Sequence, residues 1–223
     1  MDWTALWISL RLAGLTVLIL IPLAIVSGRL LAFREFRGKG LTEALVALPL
    51  VLPPSVLGFY LLVSLSANAP LGQWWQTTFG APLVFRFEGL LLASVLVNLP
   101  FAIQPVQRAF ESIALELREA AACAGMSPLR TLGAVELPLA WPGVLTAAVL
   151  VFAHTLGEFG VVLMVGGAIP GETQTISIAI YDRVQAFDLA AAGTMSAVLM
   201  SVSLIAIAFT FFATRRLKQR IVL

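Results

Sequence analysis

Five apolar stretches constrain this chain before any motif does, because each has at least about 18 residues, enough to cross about 30 Å of hydrocarbon as a helix. They run at roughly 5–33, 42–66, 88–107, 139–165 and 190–213. Composition agrees. Apolar residues make up 60% of the 223 and charged residues 12%, against about 45–50% and 25% in soluble domains. The ten-residue alternating strands of an outer-membrane barrel are missing. A helix satisfies its own backbone in lipid, so the expected fold is an all-α integral membrane protein, one domain over residues 1–223 with five transmembrane helices. The first stretch exceeds the bilayer and should tilt, or kink at Pro22. It is too long for a cleavable signal, has no small-residue cleavage site, and should stay as span 1.

The cations set an orientation. Arg34, Arg37 and Lys39 follow the first stretch, Arg108, Arg118 and Arg130 lie between the third and fourth, and Arg215, Arg216, Lys218 and Arg220 end the chain. The opposite side holds only Arg86 and Arg183. The positive-inside rule places the first set in the cytoplasm, together with the C-terminus. The N-terminus with Asp2 and Trp3 is then external, as are residues 67–87 and 166–189, where Trp74 and Trp75 fit an interfacial belt. The same bias accounts for the net charge of +2 without nucleic acid.

Several functions are disfavoured. A lone cysteine, Cys123, excludes an intramolecular disulfide and a CxxC site, and a lone histidine, His154, leaves no zinc cluster. With no carboxylate pair at ligand spacing, no metal site and no membrane enzyme are expected. A proton-coupled secondary transporter would need several buried ionisable groups and an internal repeat, and only Glu158 is a strong candidate. The chain carries neither a Walker sequence nor a Rossmann fingerprint, so it has no visible means of binding ATP or another cofactor.

Residues 108–138 form a polar island with a fixed spacing: Glu119-Ala120-Ala121, three residues, Gly125, nine residues, then Val135-Glu136-Leu137-Pro138. Ser112 can cap a helix of about three turns carrying Glu116, Arg118 and Glu119, and Gly125 offers the left-handed residue that ends it. Ser127-Pro128 is a start signal for a second helix, stopped by Pro138. Alanines at 120, 121, 122 and 124 make the first helix slim, suited to a groove on a soluble partner. Taken alone, the pattern also fits an ordinary amphipathic surface helix.

The island resembles the EAA loop of importer-type ABC permeases, whose pattern is Glu-Ala-Ala, three residues, Gly, nine residues, Ile-x-Leu-Pro; this chain departs only by Val135. Two further segments resemble the molybdate importer permeases. One is Leu48-Pro49-Leu50-Val51-Leu52-Pro53-Pro54-Ser55-Val56-Leu57-Gly58, and the other is Leu156-Gly157-Glu158-Phe159-Gly160 with the following residues 166–175. Tungstate and sulfate permeases share parts of both patterns. The resemblance covers about residues 5–215. It implies a type I ABC permease in the cytoplasmic membrane that pairs with a second copy of itself and importing an oxyanion. It also implies two cytoplasmic ATPases, which carry the ATP and Mg²⁺, and an external oxyanion-binding protein. Glu119, Ala120, Ala121, Gly125, Ser127, Pro128, Leu137 and Pro138 would form the ATPase-coupling knob. Glu119 would pair with a cation on the ATPase or cap a local network.

Other residues are candidates for the pathway. Pro49, Pro53 and Pro54 remove backbone donors at the start of the second stretch, so this segment, with Ser55, lines the pathway or dimer contact, or else is a surface turn. Glu158 is costly in an apolar span and is a functional candidate by default. Ionised, it would repel an anion, so a gate or subunit contact fits better than a ligand, with an interfacial carboxylate as the alternative. Gly157 and Gly160 would allow close backbone approach. Asn98, before Leu99 and Pro100, interrupts the third stretch and should face the bundle interior, with Gln104 beyond it; His154 and Thr155 are placed to share the network of Glu158.

Overall fold

The structure, a computed structural model, describes the backbone of residues 1–221 and the side chains of residues 1–209 and 212. Arg215, Arg216, Lys218 and Arg220 have side chains outside the described residues. Eleven helices and one π turn follow each other along the described chain, which contains no strand. The long ones are α1 (Trp3–Phe33), α5 (Phe87–Glu111), α8 (Leu137–Gly157) and α11 (Leu189–Ile221). Between them lie α2 (Lys39–Val51), α3 (Pro54–Leu65), α4 (Pro70–Phe79), α6 (Leu115–Cys123), α7 (Pro128–Thr131), α9 (Gly160–Gly166) and α10 (Ile176–Gln185).

The core is built on α1, α5 and α8. Asp2 opens α1 by accepting from the Ala5 N–H at 2.9 Å, which satisfies one free donor of the first turn. Small buried residues of α1, among them Ala13, Thr16, Ala24 and Gly28, form the face that lets neighbouring backbones approach. Thr16 and Ser94 exchange a hydroxyl hydrogen bond at 3.0 Å there. Phe87 lies under Arg11 at one end of this contact and Gly28 lies against Val106 and Gln107 at the other. The partners keep a nearly constant offset, so α1 and α5 run parallel. On α8, His154 meets Asn98 and Gly143 lies against Pro105 and Ala109, so α8 runs antiparallel to both. Because α1 and α5 are parallel, the connection over residues 34–86 returns the chain to the end where α1 began.

That return is made by a bent pair. The second stretch is two helices, α2 and α3, meeting at 112° across Leu52 and Pro53. The prolines therefore break the stretch near its middle rather than at its start. Pro54 has no N–H to donate and its ring excludes the turn before it, while Pro53 sits in extended backbone, φ −55° and ψ 136°. The fourth stretch is also divided, since α8 stops at Gly157 and α9 begins at Gly160. The third is not: α5 runs unbroken through Asn98, Pro100 and Pro105 to Glu111, and the expected interruption is absent. Neighbouring helices tolerate the lost donors. Pro22 likewise lies within α1, which continues past it.

Candidate functional site

The polar island folds as a knob at one end of the bundle. Its first helix begins at Leu115 with Ala114 before it, so Ser112 is not its cap; Ser112 ends α5 and donates its hydroxyl to the Ala109 carbonyl at 2.8 Å. The nine residues of α6 give about two and a half turns, shorter than the sequence pattern indicated. Gly125 ends it as expected, at φ +71°. The Gly125 N–H donates to Ala122 at 2.9 Å and the Met126 N–H to Ala121 at 3.1 Å, the paired bonds of a Schellman cap. Ser127 then caps α7 by accepting from the Arg130 N–H, with Pro128 in the first turn.

The second helix does not stop at Pro138. From α7 the chain enters a π turn, Leu132–Glu136, and continues into α8 with Leu137 and Pro138 in its first turn. The wide turn carries the Leu137 N–H to the Leu132 carbonyl and eases the ring of Pro138 past the preceding carbonyl, so the proline is absorbed rather than terminal. Residues 128–157 thus form one helical path from the knob into the bundle.

What fastens the knob is a carboxylate absent from the residues expected to do the coupling. Glu136, 1% exposed, accepts from Arg29 Nε and, at 3.2 Å, from Arg29 Nη2, and from Arg118 Nε at 3.4 Å. The Arg118 guanidinium lies 3.6 Å above the Phe33 ring, which packs edge-on against Phe110. One carboxylate therefore ties α6 to α1 and to the π turn. The signal was present in the sequence: Arg29 is a charge inside an apolar stretch and Glu136 abuts another, and charges so placed need partners. Their separation of 107 positions hid the pairing.

The outer surface of the knob has no partner among the described residues. Glu119, Ala120 and Cys123 are exposed, with Leu115, Leu117 and Leu129 beside them, while Ala121 is buried against the bundle. Glu119 makes no hydrogen bond or ion pair among the described residues, so it caps no local network.

About midway along the bundle, beside Asn98 near the centre of α5, the pathway candidates meet around the break in the fourth stretch. Glu158, 8% exposed, accepts from the Val161 N–H at 2.9 Å and so caps α9, while its own carbonyl accepts from Ser177 Oγ at 2.8 Å. His154 Nε2 lies 3.8 Å from Glu158 Oε2. His154 Nδ1 is 3.0 Å from Asn98 Oδ1, and the ring stacks on Phe101 at 4.1 Å. Asn98 is fully buried and donates to the Ser94 carbonyl at 2.8 Å, which leaves its oxygen for His154 and fixes Nδ1 as the donor. Thr155 Oγ1 is buried without a partner and does not join this network.

A cavity of about 170 Å³ lies among Pro49, Leu52, Pro54, Phe101, His154 and Glu158. The proline break and Glu158 are thereby brought together, as is Asn98 through His154. Gly160 is the contact between them, since a Cβ there would meet the Pro54 Cβ at 2.8 Å. Gly157 has nothing within 4 Å of such an atom, so no close approach depends on it. Ser55 is exposed beside the cavity, and Gln104 lines a separate one near Glu43, Gln107 and Glu111. No group of three or more metal-ligating side chains occurs among the described residues.

Comparison with known proteins places this architecture. Residues 20–222 match the family model of the binding-protein-dependent transport system inner membrane component. The molybdenum transport system permease protein ModB of Azotobacter vinelandii is 44% identical over 217 residues, 97% of this chain and 96% of that one. Its counterpart in Haemophilus influenzae is 40% identical over 185 residues, 83% and 81% of the two chains. Among solved structures, a bacterial ABC transporter involved in the import of the acidic polysaccharide alginate superposes at a TM-score of 0.77, with 18% identity over 96% of this chain and 78% of that one. At that identity it bears on the fold alone, which is that of type I ABC importer permeases. The chain is a member of the family of inner membrane components of binding-protein-dependent transport systems.

Proposed function

We propose that this chain is the permease subunit of an ATP-driven importer of molybdate, working as a homodimer with two ATPases inside and an oxyanion-binding protein outside. The observation that carries the reading is the knob: a short capped helix, fastened to the bundle by Glu136, whose outer face of leucines, alanines and an unpaired Glu119 meets nothing among the described residues. Such a face suits insertion into a groove on an ATPase, with Glu119 offered to a cation there. Likeness to the molybdenum permeases over nearly the whole chain supports the anion.

A count of five crossings is supported by the helix directions together with the apolar lengths. The parallel run of α1 and α5 supports counting the bent pair α2–α3 as one crossing, and the arginines and lysine at the knob end support placing it in the cytoplasm. The N-terminus is then external. A second copy would complete the cavity at Pro54, His154 and Glu158: it is open, and α2 has no buried residue, as though its partner were another chain. Motion of the ATPases would reach this cavity along residues 128–157. Glu158, capping α9 beside the contact of Gly160 with Pro54, acts as a gate element, and a carboxylate is a poor anion ligand.

The test is reconstitution in proteoliposomes with the cognate ATPase and binding protein. Molybdate should stimulate ATP hydrolysis and accumulate inside, and excess sulfate should compete poorly. Equal uptake of sulfate would assign the anion wrongly; no co-purifying ATPase would remove the reading altogether.

A further inference from the structure

A second groove, far from the knob and sharing no residue with the cavity at Glu158, carries a cation that the transport reading does not use. It has a volume of about 430 Å³ and lies between α1 and α5. Leu15, Ile19, Leu91 and Val95 make an apolar floor, while Arg11 and Glu88 stand at the mouth beside Trp75 and Phe87.

Arg11 is unusual for its position. The 31 residues of α1 span about 46 Å, some 16 Å more than the hydrocarbon core, so a centred helix leaves about 8 Å beyond each face. Arg11 is eight residues into α1, about 12 Å from its end, which puts its Cα about 4 Å inside the hydrocarbon edge. A long side chain there reaches up to the head groups. Its guanidinium lies 4.3 Å over the Phe87 ring, yet its five N–H donors have no acceptor and no ion-pair partner among the described residues. Glu88 pairs weakly with Arg86, at 3.8 Å, with both side chains about half exposed.

We propose that this groove binds a phospholipid whose head group carries a phosphodiester and a primary ammonium, with the phosphate on Arg11, the ammonium on Glu88 and one acyl chain along the floor. The guanidinium matches two phosphate oxygens in a bidentate geometry. A carboxylate at the same mouth disfavours a purely anionic head group and gives a primary ammonium a hydrogen-bond acceptor. A quaternary ammonium has no N–H to donate and gains less. Positions 11, 15 and 19 of α1 and 87, 91 and 95 of α5 descend together, and below Arg11 and Phe87 they are aliphatic, so the floor continues from the mouth toward the bilayer centre. The proposal rests on the membrane-spanning reading and is independent of which anion is transported.

Native mass spectrometry of the full-length protein, purified from vesicles of phosphatidylethanolamine, phosphatidylcholine and phosphatidylglycerol in equal amounts, tests it. Wild type should retain phosphatidylethanolamine at least fivefold over the other two. Arg11→Gln should reduce retention of all three at least fivefold, and Glu88→Gln should abolish the preference while keeping the binding. Leu91→Trp, which fills the floor with both charges in place, should also release lipid and guards against an Arg11 variant that merely folds poorly. Preferential retention of phosphatidylglycerol, or equal lipid counts in wild type, Arg11→Gln and Leu91→Trp, would overturn the site. So would efficient copy-to-copy cross-linking through Ile19→Cys, which would show a second chain in the groove instead.

Discussion

Replacing Glu136 with glutamine probes the fastening of the knob most directly. Glutamine keeps the volume and one acceptor, but it sets an NH₂ against a guanidinium and removes the charge that Arg29 and Arg118 share. Removing one partner of a fully buried pair costs about 3–5 kcal/mol. Both arginine side chains keep roughly 30% exposure, so water relieves part of the loss and about 1–3 kcal/mol is the reasonable range for loosening α6 from α1. At tenfold for each 1.4 kcal/mol, the undocked population of α6 should rise about 5- to 150-fold. The sole cysteine, Cys123, is exposed at the end of this helix and is a native attachment point for a spin label. The variant should show a mobile spectral component that wild type lacks, and in proteoliposomes the stimulation of ATP hydrolysis by loaded binding protein should fall in parallel, with unchanged yield of inserted protein. Glu136→Asp should recover part of both. An unchanged spectrum together with full stimulation would refute the view that this carboxylate holds the knob.

Other outcomes follow from the same geometry. Gly125→Val puts a β-branched residue at φ +71°, at about 1–2 kcal/mol, and should uncouple ATP hydrolysis from uptake without loss of insertion; wild-type coupled uptake would contradict this. Gly160→Ala drives a methyl into the Pro54 ring and should slow transport while leaving the affinity of the ATPase for the knob unchanged, as measured by co-purification. In a Cys123→Ala background, Gln73→Cys should react with an impermeant thiol reagent outside intact cells and Lys39→Cys should not; the reverse pattern would invert the topology. Glu158→Gln keeps an oxygen for the Val161 N–H, so the ratio of molybdate to sulfate uptake should hold while the basal rate of ATP hydrolysis changes. A changed ratio would make Glu158 a reader of the anion.

The helical character, the approximate positions of the apolar stretches and the turn at Gly125 were legible because each depends on local chemistry: apolar length, a left-handed glycine, a serine before a proline. Pro53 and Pro54 announced a break, but its place within the stretch depended on where α2 finds its start, at Gly38, well upstream of the prolines. Ser112 misled because a serine caps whichever helix happens to end or begin beside it, and here α5 runs on to Glu111. Asn98 read correctly as an inward residue, yet not as a break, because burial against α1 and α8 outweighs a missing proline N–H. The need of Arg29 and Glu136 for partners was legible, but which partner each finds, like the meeting of Arg11 with Phe87, was beyond local reasoning. Both are contacts between segments distant in the chain, and a single sequence carries no measure of which charge will find which partner.

The continuous path of residues 128–157 has a mechanical consequence. Thirty residues at 1.5 Å each make a rod of about 45 Å, with the knob, the proposed docking point, at one tip and, one residue past the other, Glu158. Swung about one tip by about 5°, a rod of that length displaces the other by about 4 Å, enough to part Gly160 from Pro54, between which there is no room even for a methyl group. Its π turn at Leu132–Glu136 is pinned by Glu136 to two arginines, and Pro142 further on is carried within the unbroken helix α8, so little of the swing is lost to bending at the π turn. On the proposed coupling, the lever is stiff at the place where a hinge would waste the stroke.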